Sequence, residues 1–308
     1  MMENNYFVER VLTNEKGNLK RLPKEFYYPK ISFKEYSLNN FRDRRMIDAI
    51  YDSDLSQYTQ VVSCTTSKLL MSMLALRNKL SDNIFVNIER TMLDDSTIDD
   101  KAAKSIIKWC KINGYPFQPE EDSSLKNRPL FTNVNSKHAG FRIADFIYQL
   151  NEISSAFLLY LKLLGEKVSL GKASISLPLT DSGQELKKFK LLRDMSEDEI
   201  MSILGNKYKA ISFTNQISLE GGVCIQQYAK DLFDAAFYEL AMLMMEPEKE
   251  YRICQLCHSY FVVEDGRQKY CKNINEQGQR TCTAQKEYKR KHQKQKRTAE
   301  PVSPTVPI

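Results

Sequence analysis

Four cysteines near the end of the chain constrain its folding more than any other feature. They read Cys254-x2-Cys257-x13-Cys271-x10-Cys282, so four of the seven cysteines fall within 29 residues. A C-x2-C pair lets two thiolates on one tight turn grip a metal from the same side. A later pair, brought back by a short hairpin, completes a tetrahedron. Zinc favours this arrangement because it takes four soft ligands at about 2.3 Å with no redox cost. The residues between the ligands suit a small module. Tyr260 and Phe261 supply a miniature apolar core where so short a segment cannot bury enough surface unaided. Glu264-Asp265-Gly266 is turn chemistry between two hairpin arms, and Tyr270 is placed to pack behind the site.

Whether the thiols pair with one another depends on the compartment. The start, Met1-Met2-Glu3-Asn4-Asn5-Tyr6, has no basic run leading into an apolar stretch, so no secretory signal is expected. The longest apolar segment, Ala156 to Leu164, is interrupted by Lys162, whereas a membrane span needs about 20 largely apolar residues. The expected address is therefore the cytoplasm, where disulfides are rare. The expected ligands are Cys254, Cys257, Cys271 and Cys282, holding one structural zinc ion per chain. His258 directly follows Cys257, which makes simultaneous ligation by both awkward. Four thiolates leave no open position for water, so the ion's expected role is structural and not catalytic. Cys64, Cys110 and Cys224 sit alone in apolar patterns and are expected to be buried.

Charge is distributed unevenly. Residues 252–297 hold 12 Lys plus Arg against 4 Asp plus Glu, a balance of +8, which leaves 33 against 35 elsewhere, or −2. Zinc bound to four thiolates carries −2, so the finger would hold about +6. After Cys282 the sequence TAQKEYKRKHQKQKR has good helix formers and no Gly or Pro. On a helix, Lys286, Arg290, Lys294 and Arg297 line one face, with Lys289, His292 and Lys296 beside them. Glu287 is placed to pair with Lys291 one turn later. Such a stripe can follow a phosphate backbone, each contact releasing a counterion. The bland reading is a solvated helix end that keeps the protein soluble. Its direct continuation from a metal module favours nucleic-acid contact.

The rest of the chain, 42% hydrophobic and 27% charged overall, has an ordinary globular composition. Tyr6 to Leu12 reads as a strand, and residues 19–40 mix Lys, Tyr and Pro without periodicity. Helical spacing appears over Ser67–Leu80, over Asp99–Asn113 with Gly114 as C-terminal cap, and over Phe141–Leu164 followed by Gly165. The alternation in Lys172–Leu179 predicts an edge strand, and Ser196 with Glu199 predicts a capping box. Tyr208–Phe213 reads as a strand, and Ile225–Met245 as a long amphipathic helix stopped by Pro247. The expected class is α+β: a predominantly helical body with minor strands, plus a zinc-ribbon-like finger and a basic helix. The expected divisions are a mixed region at 1–95, a helical body at 96–247, the finger with its helix at 248–297 and a Pro-rich disordered tail at 298–308.

The run from Leu232 through Lys289 resembles the end of a family of uncharacterised bacterial proteins. Their pattern is a long helix, an arginine-flanked C-x2-C, an aromatic residue, a Tyr-Cys pair and a final Cys before a Tyr/Lys-rich helix. The run is also similar in layout to the CGNR-type zinc fingers of bacterial stress-linked transcription regulators. The first cysteine pair is closer and the second wider than in that family, and no Cys-Gly-Asn-Arg sequence occurs. The resemblance implies the four ligands and DNA contact by the basic helix, and nothing further.

No glycine-rich phosphate loop, H-E-x-x-H or G-x-S-x-G occurs. His138 is the only histidine before the finger and is expected in a loop, bonded to backbone. Asp94, Asp95, Asp99 and Asp100 are expected to mark a helix N-terminus, where carboxylates favour the dipole. The sequence thus points away from an enzyme. It points to a bacterial DNA-binding or transcription-regulatory protein with duplex DNA as partner, or alternatively to a protein-interaction adaptor with a purely structural finger.

Overall fold

The computed structural model describes residues 26–41, 44–51, 58–64, 68–86, 88–118, 137–165, 174–177, 188–209, 211, 213–218, 224–245, 251–256, 260–263, 265–272, 282–287 and 289–290. The chain divides into two compact units, Met1–Pro247 and Glu248–Ile308. The class is α+β.

The first unit opens with β1 (Phe26–Ile31), β2 (Tyr36–Phe41), β3 (Arg44–Tyr51) and β4 (Thr59–Ser63). Helices α1 (Lys68–Lys79), α2 (Asp82–Val86), α3 (Ile88–Leu93) and α4 (Asp100–Asn113) follow, with a 3-10 turn at Asp95–Thr97. Then come β5 (Lys137–Arg142), α5 (Ile143–Leu163), β6 (Ser174–Leu177), β7 (Lys188–Leu191), α6 (Glu197–Lys209), β8 (Phe213–Ser218), β9 (Cys224–Ala229) and α7 (Leu232–Met245). The largest sheet has the order β4-β1-β9-β8 and is antiparallel except between β1 and β9. A second, antiparallel sheet runs β2-β3-β5, and β6 pairs with β7. Strands from residues 1–95 and from 137–247 therefore share sheets, and both segments build one core.

That core is centred on α5. Sixteen of its 21 residues are buried, on every side of the helix. A helix apolar all round needs cover all round, and α1, α3, α6, α7, β3, β5 and β6 supply it. Its buried polar groups are satisfied. Asn151 Nδ2 and Ser155 Oγ donate to the Ser174 carbonyl at 2.8 and 2.9 Å, and Glu152 pairs with Lys207. Buried Glu239 on α7 accepts from the Leu70 N–H at 2.7 Å, tying α7 to the first turn of α1, and burial pushes its carboxyl up to about 8. Cys64 and Cys110 are buried, as expected, and burial pushes both thiols up.

Local rules account for several element ends. Asp99 caps α4 by accepting from the Ala102 N–H at 2.7 Å, and Gly114 ends it at φ 104°. A side chain at Gly114 would also crowd Lys30 and the Ile31 carbonyl. Ser196 and Glu199 form the expected reciprocal box: the Ser196 N–H donates to Glu199 Oε2 at 2.9 Å, and the Glu199 N–H to Ser196 Oγ at 3.3 Å. Gly140 lies opposite buried Asp48 across β3 and β5, where a Cβ would overlap the carboxylate. Pro29 is tolerated in β1 because the bonds that bracket the β4 pairing, Ser32 N–H to the Tyr58 carbonyl and Cys64 N–H to the Phe26 carbonyl, fall on even positions, which turns the Pro29 nitrogen away from β4. Its β9 pairing covers only Phe26 and Tyr27, so no ladder bond is lost at Pro29.

Three expectations are corrected. Tyr208 belongs to α6, which runs on to Lys209, and only Phe213 begins a strand. The helix expected over Ile225–Met245 is instead strand β9 followed by α7, with Asp231 accepting from the Asp234 N–H at 2.9 Å where the helix starts. His138 is not in a loop: its backbone lies in β5, paired with Ile50. The strand expected at Tyr6–Leu12 lies outside the described residues. No described helix is long and apolar enough to cross a membrane.

Candidate metal centre

In the second unit, β10 (Tyr251–Ile253) and β11 (Tyr260–Val262) form an antiparallel hairpin in which Arg252 faces Phe261 across the ladder. Cys254 directly follows β10. The chain leaves β11 and reverses at Asp265, whose carbonyl accepts from the Gln268 N–H at 2.8 Å. The Asp265 side chain accepts from the Arg267 N–H at 2.9 Å. The turn chemistry read from Asp265-Gly266 therefore acts after the hairpin and not between its arms. It returns the chain alongside the first ligand, where the Gln255 N–H donates to the Lys269 carbonyl at 3.2 Å. Two residues later comes Cys271.

Residues 282–287 and 289–290 are helical, and Cys282 is among them. Thr283 Oγ1 donates to the Cys271 carbonyl at 3.3 Å, fixing this helical stretch against the segment that carries Cys271. Arg252 Nη1 donates to the Gly266 and Gln268 carbonyls at 2.7 and 3.1 Å and so holds the reversal shut. Only the position of Arg252 beside the first cysteine pair hinted at this clamp; its carbonyl acceptors are set by tertiary folding.

These contacts bring Cys254, Cys271 and Cys282 together with their sulfurs all within 4.8 Å of one another. All three are buried and none is in a disulfide. Together with Phe261 they are the small core of this unit, with Leu256, Val263 and Tyr270 packed against it. Sulfurs around a tetrahedral ion bound at about 2.3 Å stand roughly 3.8 Å apart, which fits the observed spacing. Three thiols gathered in a core with so few apolar partners among the described residues fit a metal ion better than simple packing. Cys257 lies outside the described residues.

Of the expected phosphate contacts, Lys286, Lys289 and Arg290 are exposed on the helical stretch that includes Cys282. Lys286 Nζ lies 5.8 Å from the centre of the Tyr270 ring, within cation–π range. Lys294 and Arg297 lie outside the described residues. No family model, no curated protein and no solved structure matches the chain.

Proposed function

We propose that residues 248–297 are a zinc-ribbon-like finger, closed on one structural Zn2+ by Cys254, Cys257, Cys271 and Cys282, that holds a basic helix against duplex DNA. In this reading the protein is a cytoplasmic bacterial regulator of transcription. The observation that carries it is that a metal-ligand candidate, Cys282, lies in the same helical stretch that carries Lys286, Lys289 and Arg290. Cross-linking Cys282 to the hairpin fixes the direction of those cations. A tethered row of cations gives up little conformational freedom on docking, which favours binding over a flexible basic tail. Zinc is the ion of choice because an all-thiolate tetrahedron suits it and no redox change accompanies it.

Protein purified without added metal is expected to hold one zinc per chain by elemental analysis. Less than about half an equivalent, with the cysteines intact and reduced, would argue against the site.

The deciding experiment is duplex-DNA binding across a salt series. Replacing Lys286, Arg290, Lys294 and Arg297 together with Gln removes about four phosphate contacts. The slope of log affinity against log salt should then fall by about 3.6, at roughly 0.9 per contact. Folding should hardly change, since exposed charges contribute at most about 1 kcal/mol each. Equal affinities and slopes for both proteins, with zinc content matched, would leave the finger as a rigid terminus for a protein partner.

A further inference from the structure

We infer that helix α4 is a second phosphate-binding face of this protein, taking the backbone of duplex DNA; this rests on the nucleic-acid reading of the C-terminal helix. Lys101, Lys104, Lys108 and Lys111 recur at spacings of three, four and three, and all four are exposed. Ala102, Ala103, Ile106, Trp109 and Cys110 are buried on the other side of the helix. The four ammonium groups therefore share one face. At about 1.5 Å rise per residue they extend over roughly 15 Å of axis. One DNA strand carries a charge about every 3.4 Å, so about four phosphates fall within that length.

Carboxylates stand at the N-terminal end of the stripe, where Asp99 caps the helix and Asp100 also interacts with Lys104. Residues 101–113 contain no carboxylate, and Asp100 just before them is paired with Arg45. Two elements that pack on α4 are β2, which has no charged residue, and α1, whose charges are Lys68, Arg77 and Lys79. Arg77 pairs with Asp82 at 2.7 Å. An open depression of about 500 Å³ runs along the same face, lined by Asp100, Lys101, Lys104, Ser105 and Lys108. General basicity does not explain this, because the chain outside residues 252–297 has a balance of −2.

The stripe also works against its own helix. Like charges three and four residues apart repel, and Lys101 stands in the first turn, at the positive end of the dipole. Glutamate or glutamine would keep the helix as soluble with less repulsion. The helix is held through its apolar side instead, where Trp109 Nε1 also donates to Ser72 Oγ at 3.2 Å. An anionic partner offsets the repulsion. A phosphate backbone fits better than an acidic protein surface, because Ile112 is the only exposed large hydrophobic of α4. A protein interface draws most of its energy from a cluster of aromatic and aliphatic anchors, and this face offers Ile112 alone.

The test uses the full-length protein and duplex DNA across a salt series, with the Lys101, Lys104, Lys108 and Lys111→Gln variant beside the wild type. The variant's slope should fall by about 3.6, so a fourfold rise in salt should cost the wild type about 150-fold more affinity than the variant. Its melting temperature should be unchanged or higher, and the corresponding Lys→Arg variant should keep the wild-type slope. If the finger variant loses slope while this one keeps it, the inference is overturned and the reading of the finger stands. If the wild type binds no duplex at any salt, both fall. Binding to polyglutamate that the variant loses, with duplex binding intact, overturns it too and assigns α4 to an acidic protein.

Discussion

Changing Cys271 to Ser is expected to unfold the finger while residues 1–247 keep their melting transition. Among the described residues the proposed finger has one small core, formed by Cys254, Phe261, Cys271 and Cys282, and three of those four side chains are sulfur donors. Burying a phenylalanine stabilises by about 1.5–3 kcal/mol. Binding a structural zinc supplies about 10–16 kcal/mol, and that binding energy is folding energy. Serine keeps the size of the side chain but replaces a thiolate with a hard, protonated hydroxyl. Most of the metal term is therefore lost. Limited proteolysis should then show new cuts confined to residues 248–297, and zinc should leave with them. A chelator added to the wild-type protein should reproduce the same pattern. Digestion running through residues 1–247 would overturn this picture and make the finger an integral part of the larger core.

What the sequence shows of this molecule is what short-range chemistry decides. Gly114, Asp99 and the Ser196–Glu199 box act within three or four residues, and each is where its local pattern puts it. Helix α5 was legible because its apolar positions fill more than one face, although its polar residues Asn151 and Ser155 gave no sign that they bind the carbonyl of Ser174. Three of the four cysteines of the spacing pattern meet in space, brought together by the reversal at Asp265 and the Thr283 contact and not by spacing within one turn.

The strands were harder to read. β1 to β3 carry Tyr, Pro, Lys, Asn and Arg instead of a clean alternation, and their pairing is decided by distant partners such as β9 and β5. Residues 225–229 (IQQYA) have composition that suits a helix, but β8 and β1 flank them and recruit them into the largest sheet. The lysine face of α4 is hard to see in the sequence for a different reason. The helix declares itself by its buried stripe, and a local row of like charges barely shifts the balance of a body that is nearly neutral overall.

The acidic run at 94–100 joins these two lessons, and Asp95→Ala tests them. Asp94 accepts from the Ser96 N–H at 2.9 Å, Asp99 caps α4 and Asp100 stands in its first turn, so three of the four carboxylates do what their sequence suggests. Asp100 pairs with Arg45. Asp95 is different: it is buried, and both its oxygens accept from Arg142 Nε, at 3.1 and 3.2 Å, while Oδ1 also takes Nη2 at 2.6 Å. Its Oδ2 additionally accepts from the Arg45 N–H at 2.7 Å. Arg45 belongs to β3, and Arg142 closes β5 at the start of α5. One carboxylate thus fastens the sheet to the central helix. Removing it leaves the Arg142 guanidinium, only 16% exposed, without its bidentate partner. Breaking a buried pair from one side costs about 3–5 kcal/mol. For a unit of this size that lowers Tm by roughly 10 °C, at about 2–4 °C per kcal/mol. Asp95→Asn should fall between the two, keeping the shape and part of the hydrogen bonding while losing the charge. Calorimetry on both variants decides: a loss under about 1 kcal/mol for Asp95→Ala would mean that Arg142 finds water or another acceptor, and that the clamp is not what holds β3 and β5 to α5.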